Sequence, residues 1–207
     1  MDNKRVLVLI ALALAACALF VPLLRADEPA TQPADASAIT AWDGSTDKGS
    51  GWTTPKSDKI SLTADGEGYK GKKSVQFKAS ASGFIAFGWN WIGWYPPGAG
   101  TDASAADRVR FYVKLTGDAK PHDFNIHLSS ANGKPSKDVQ LSKNATEKGA
   151  DITDGNWHEI AIPMKDLANA DFDPKAVREL DMSQWSGDNV NFTLLIDSIQ
   201  FLPADAK

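Results

Sequence analysis

The sequence predicts an all-β fold, an antiparallel β-sandwich of jelly-roll type, on three observations. Apolar side chains recur at every second position over most of the chain, and Gly, Pro, Asn and Asp punctuate these runs at short intervals. Helical spacing is confined to one short stretch, Met164 to Ala168 after Pro163. Roughly nine or ten short strands follow from that pattern, the layout of a two-layer β domain.

The N-terminal segment comes first. Asn3, Lys4 and Arg5 precede an unbroken apolar run from Val6 to Phe20, followed by Pro22, Leu23, Leu24, Arg25 and Ala26. Positive charge ahead of an apolar stretch is the arrangement of an export signal, so residues 1–26 are expected to send the chain out of the cell or into the periplasm. Two rival readings compete with a cleaved signal. The run nears the about 20 apolar residues that span a bilayer, which would make it an uncleaved anchor. Leu14-Ala15-Ala16-Cys17 also resembles a lipobox, which would leave the chain lipid-anchored to the envelope, although Ala18, Leu19, Phe20 and Val21 stay apolar where such a signal turns polar.

Residues 27–38 carry Pro, Ala and acids with no large apolar side chain, and this composition predicts a flexible Pro/Ala linker. The folded domain is expected over 39–207, without internal repeat. Cys17 is the only cysteine, so a domain beyond the signal has neither disulfides nor thiolate chemistry. A net charge of −4 offers no field for nucleic acid.

Within the domain the period of two is clearest at 108–115. Val109, Phe111, Val113 and Leu115 share one face, and Arg108, Arg110, Tyr112 and Lys114 share the other. Phe124, Ile126 and Leu128 alternate with Asn125, His127 and Ser129 in the same way. Further strands are expected at 59–63, 74–79, 84–94, 137–141, 157–162, 178–184 and 190–201. In the last of these Phe192, Leu194 and Ile196 alternate, but Ile199 and Phe201 are out of phase with them. Keeping all five inward requires one extra residue near Asp197-Ser198, which a β-bulge supplies.

Four segments in this order carry a family resemblance. They are Tyr69-Lys70-Gly71-Lys72-Lys73-Ser74-Val75-Gln76-Phe77, Arg108-Val109-Arg110-Phe111-Tyr112-Val113, Asp154-Gly155-Asn156-Trp157-His158-Glu159-Ile160-Ala161-Ile162-Pro163-Met164 and Phe192-Thr193-Leu194-Leu195-Ile196-Asp197-Ser198-Ile199-Gln200-Phe201. Together they resemble the galactose-binding-like jelly rolls of carbohydrate-binding modules, most of all those of family 11, over about residues 42–202. The resemblance implies a structural Ca²⁺ held by Asp43, Asp197 and a backbone carbonyl at or beside Lys72, and places Trp157 at the entry to a packed strand. The alternative for both Asp residues is a turn cap or a pairing with Lys or Arg. Ser198 stands where the family has a second Asp, and the aromatic stretch Phe87 to Pro97 is richer than the family pattern.

Seven Trp bear on the ligand, because a pyranose lays its apolar C–H face on an exposed aromatic ring while amides, acids and Arg bond its hydroxyls. Trp89 and Trp91 share the parity of Ile85 and Phe87, which reads as core. Trp94 and Tyr95, beside Pro96-Pro97, are candidate ligand contacts at a strand end. Arg110, Tyr112, Asn125 and His127 form a second candidate set on outward strand faces, with Asp181, Trp185 and Asn191 as neighbours; the competing reading is an ordinary wet face. Trp42 and Trp52 remain open.

Catalysis has less support. His122, His127 and His158 stand apart, and the chain holds no nucleophile elbow and no phosphate-binding glycine loop. The expected function is therefore an exported, non-catalytic glycan-binding module, taking an oligo- or polysaccharide as a monomer. It would meet a membrane only through its signal or a lipid. The alternatives are an envelope structural or protein-interaction domain and a small glycan-active hydrolase.

Overall fold

A computed structural model of the chain describes residues 38–44, 49–69, 72–93, 98–119 and 123–206. The expected export signal, nearly all of the expected linker, and Trp94 and Tyr95 lie outside the described residues. The described residues form nine strands: β1 (Ile39–Trp42), β2 (Ser50–Thr54), β3 (Ile60–Glu67), β4 (Lys73–Asn90), β5 (Arg108–Ala119), β6 (Asn125–Ser130), β7 (Val139–Gln140), β8 (Trp157–Pro163) and β9 (Val177–Leu202). The one α-helical turn among the described residues, Met164–Leu167, lies where Pro163 and the apolar spacing put it.

All pairings are antiparallel, and the two long strands β4 and β9 serve both layers. Their outer halves, Val75 to Ala79 against Phe192 to Ile196, join β3, β5 and β8. Their inner halves, Gly83 to Asn90 against Glu179 to Ser186, join β2, β6 and β7. Phe77 and Phe87 show that β4 doubles back between these halves. Ten residues of straight strand would separate them by about 33 Å, yet their rings stack at 4.2 Å. The sheet network thus closes on itself as a sandwich, with the aromatic pair between its layers. Phe192 joins it, 5.8 Å from Phe77 and 5.6 Å from Phe124.

The sequence pattern reads 74–79 and 84–94 as two strands, and 178–184 and 190–201 as two more. Each pair is one continuous strand. Ala81 faces Val190 and Gly83 faces Ser186, so the polar Gly-containing segments that look like turns are an irregularity inside a paired ladder. Gly83 takes φ +87°, a conformation a side chain would strain. The predicted bulge in β9 is present: Arg110 faces Gln200 while Tyr112 faces Asp197, leaving one extra residue on β9, and Ser198 has φ +55°. This shift keeps Ile196, Ile199 and Phe201 all buried.

Trp89 and Trp91 are buried, as their parity predicts, and so is Trp42, whose ring meets Trp89 edge-on at 5.9 Å. Trp157 is half-buried against Tyr69 at 5.8 Å.

Candidate functional site

The outer face of the layer built from β2, β4, β9, β6 and β7 gathers aromatic and acidic side chains. Alternation dictates its membership. Phe84 faces Trp185, Ala86 faces Ser183, Gly88 faces Asp181 and Asn90 faces Glu179, while Phe87 and Met182 between them turn inward. On the flanks, Asn125, His127 and Ser129 of β6 and Trp52 of β2 take the same outward parity.

Trp185 is 71% exposed and Phe84 is 49% exposed, side by side on adjacent strands. Large aromatic groups left in water on a sheet face make a platform for an apolar ring. The opposite end of the face is polar, with Asp181 and Glu179 buried. Asp181, 3% exposed, accepts from Ser129 Oγ, and the Nε2 of His127 lies 3.2 Å from its Oδ2. His127 Nδ1 meets Asp138 at 2.9 Å. Burial pulls the His127 pKa down, but its hydrogen bonds and charge contacts with Asp181 and Asp138 outweigh that and hold it above the usual value. Glu179 accepts from Trp52 Nε1. Burial, and then the negative charge of Asp181, push its carboxyl up to about 7.

Of the residues picked from sequence, Asn125, His127, Asp181 and Trp185 meet on this one face. Arg110 and Tyr112 do not, which corrects the expectation of a single set. They belong to β5 in the other layer, where both are nearly sealed. Arg110 donates to Gln200 at 2.8 Å, and Tyr112 donates to Glu159 at 2.9 Å under a Tyr69 ring stacked at 4.0 Å. Outward parity on one strand does not say which layer that strand joins. Asn191 also belongs to the other half of β9. Trp52, Phe84, Glu179, Ser129 and Asp138 went unpicked. Phe84 and Glu179 were within reach, since each shares the wet parity of a neighbour; Trp52 depends on pairing β2 with β4, which no local pattern shows.

The donors for the Ca²⁺ that the resemblance implies sit where β1, the turn before β4 and the β9 bulge meet. Asp43 Oδ2 is bridged by Lys72 Nζ at 2.9 Å. Asp197 accepts from the backbone N–H groups of Tyr69 at 2.8 Å and Ser198 at 2.6 Å, and burial raises its pKa. Gly68 lets the Lys72 carbonyl approach this carboxylate: a Cβ there would lie 2.1 Å from Lys72 O and 3.1 Å from Asp197 Oδ2. Among the described residues no group of three or more His, Cys, Asp or Glu is arranged to hold a metal ion. With the Lys72 ammonium on Asp43, these donors do not form a Ca²⁺ set as they stand.

Known proteins share this fold. The family model for carbohydrate binding domain 30 matches residues 34–203. No relative is found among curated proteins. A family 30 module of a cellulosomal cellulase of Clostridium thermocellum superposes with a TM-score of 0.58 at 19% identity, covering 82% of this chain and 99% of that one. A family 11 module from a second cellulosomal cellulase of Clostridium thermocellum reaches 0.52 at 14% identity, covering 81% and 95%. A β-1,2-glucanase of Parabacteroides distasonis shares the fold over 24% of its own length, with a TM-score of 0.54 at 15% identity and 80% of this chain covered. The match over most of the chain, on a sandwich with an exposed aromatic face, places this protein in the carbohydrate-binding domain 30 family as a glycan-binding module.

Proposed function

We propose that the glycan lies across the outer face of the β2, β4, β9, β6 and β7 layer, stacking on Trp185 and Phe84 and hydrogen-bonding toward Asn125, His127 and Asp181. The observation that carries this reading is the 71% exposure of Trp185. An indole in water has no packing role there, and pyranose C–H faces are what such rings take up. A family 11 module of like fold has been solved with a β-1,3-1,4-mixed-linked tetrasaccharide, which makes mixed-linked β-glucan the first ligand to try. Binding without cleavage is the reading for the Glu179 and Asp181 pair. Glu179 Oε1 and Asp181 Oδ1 would lie 2.3 Å and 2.2 Å from one and the same Cβ position at Gly88, closer together than the about 5 Å that even a retaining glycosidase keeps between its carboxyl groups.

Isothermal titration against mixed-linked glucan, xylan and mannan tests this. Trp185→Ala should weaken the binding about tenfold or more, and it should move folding stability by less than about 0.5 kcal/mol because the ring is exposed. Unchanged affinity in that variant would remove the platform.

A structural Ca²⁺ on Asp43, Asp197 and the Lys72 carbonyl is a second proposal, supported by the convergence of the last two at Gly68. It requires the Lys72 ammonium to leave Asp43. Thermal unfolding should then rise in calcium relative to chelator, and rise further in Lys72→Met, which keeps the carbonyl. Identical melting in calcium and chelator for both proteins rejects it.

A further inference from the structure

The polar end of the face decides which part of a glycan is held, an inference that rests on the glycan-binding reading above. A cavity of about 270 Å³ opens there. That is less than a whole drug-sized ligand takes up, and it suits one sugar unit of a longer chain. The described residues wall it on three sides. Trp52 of β2 stands on one flank, Gly133 and Pro135 from the turn after β6 stand on the other, and Arg178 stands at the end from which β9 starts. The turn is a fixed wall. Ser130 N donates to the Lys134 carbonyl at 3.1 Å, Ala131 N donates to the Ala176 carbonyl at 2.8 Å, and Gly133 takes φ +75° to reverse the chain.

In the fourth direction the outer face continues. It runs along β9 from Glu179 through Asp181 and Ser183 to Trp185, a span of about 20 Å at the rise of a strand. Ser183 and its partner Ala86 are small, so a chain of sugar rings has a shallow floor from the cavity to the exposed indole.

The lining asks for a neutral donor. Asp181 takes both of its partners, Ser129 Oγ and His127 Nε2, on Oδ2. Its Oδ1 is buried and has no hydrogen-bond partner among the described residues, a condition that favours any ligand able to donate to it. Two acids, Asp181 and Glu179, face two bases, His127 and Arg178, around the cavity. A sugar hydroxyl supplies the donor and leaves that balance unchanged. The last unit of a glycan carries one hydroxyl more than an internal unit, because the position that would join the next ring is free. An internal unit also needs a way out on both sides, and three walls leave one.

We propose that this cavity holds the terminal unit of the glycan, so that the module grips chain ends, with the following units running out over Ser183 to Trp185.

The test is isothermal titration of the full chain against mixed-linked glucan, xylan and mannan, each at full length and after cutting to about a tenth of that length. For a polymer that binds, the same mass of cut chains should offer about tenfold more binding sites at unchanged affinity per site, because it has that many more ends. Sites per mass that do not change with chain length identify an internal binder; they overturn the proposal and leave the glycan-binding reading standing. Ser129→Leu puts bulk into the cavity from a half-buried position on the wet face. It should weaken binding about tenfold or more, whereas Asp118→Asn, at an exposed site on β5, should not. A folded Ser129→Leu variant that binds as the unaltered chain does overturns the proposal as well. Failure of all three polymers at both lengths overturns both readings. The comparison of chain lengths on the unaltered protein needs no variant to fold.

Discussion

Trp185 and Glu179 project from the same side of β9, one in water and the other sealed, and their surroundings give them different chemistry. Trp185 contributes surface, so under the proposed binding mode its removal would be felt by a ligand and hardly by the fold. Glu179 contributes a proton equilibrium. Its pKa rises from an ordinary 4.5 to about 7 in the folded chain, so between those values the native state holds more protons than the unfolded one. Stability from this group is complete below about pH 4.5 and is lost as pH climbs through about 7. The Glu179→Gln variant cannot ionise there, and its amide still offers an acceptor to Trp52 and a donor to Asp181. Its melting temperature should therefore gain on the unaltered protein between about pH 5 and pH 8; parallel melting curves across that range would mean that burial and the charge of Asp181 do not raise the Glu179 pKa. At this scale the sequence is informative for His127, Asp181 and Trp185, because alternation marks them as outward. It is silent on Trp52, because β2 reaches the site only through its ladder with β4.

Elements in this fold are shaped by irregularities more than by turns. The β9 bulge could be read from the phase slip between Ile196 and Ile199, because burial demands parity and only an inserted residue restores it. Ser198 pays for this with a positive φ, and its hydroxyl and N–H both reach Asp197. A β-branched residue tolerates that conformation poorly, so Ser198→Val should cost about 2 kcal/mol in denaturant unfolding, whereas Ser198→Gly should stay within about 1 kcal/mol of the parent. Equal costs for both would show that the bulge is not held in that conformation. The break in β4 misled the pattern because Ser82-Gly83 looks like the end of a strand. Strand pairing overrides that local signal, since the ladder with β9 resumes at Gly83 and runs on to Asn90.

For the whole molecule, two layers pack over the Phe77 and Phe87 stack, and one outer face exposes Trp185 and Phe84 while on the other Tyr69 stacks on Tyr112. Delivery also belongs to the whole chain. Export by residues 1–26 remains our proposal, and the mass of the mature protein from a secreting bacterial host should show loss of those residues, or a diacylated N-terminus at Cys17 if the lipobox is used. Full-length mass in the membrane fraction would instead identify an anchor. What the sequence determined by itself was the all-β class, the inward faces, the bulge and the carbohydrate-binding resemblance, because period and phase are local properties of a chain whose core must be dry. Only the tertiary structure decided which outward residues share a face. It sent Arg110 and Tyr112 to one layer and gathered Trp52, Glu179, Asp181 and His127 on the outer face of the other, since layer membership is fixed by hydrogen-bonded partners far away in sequence.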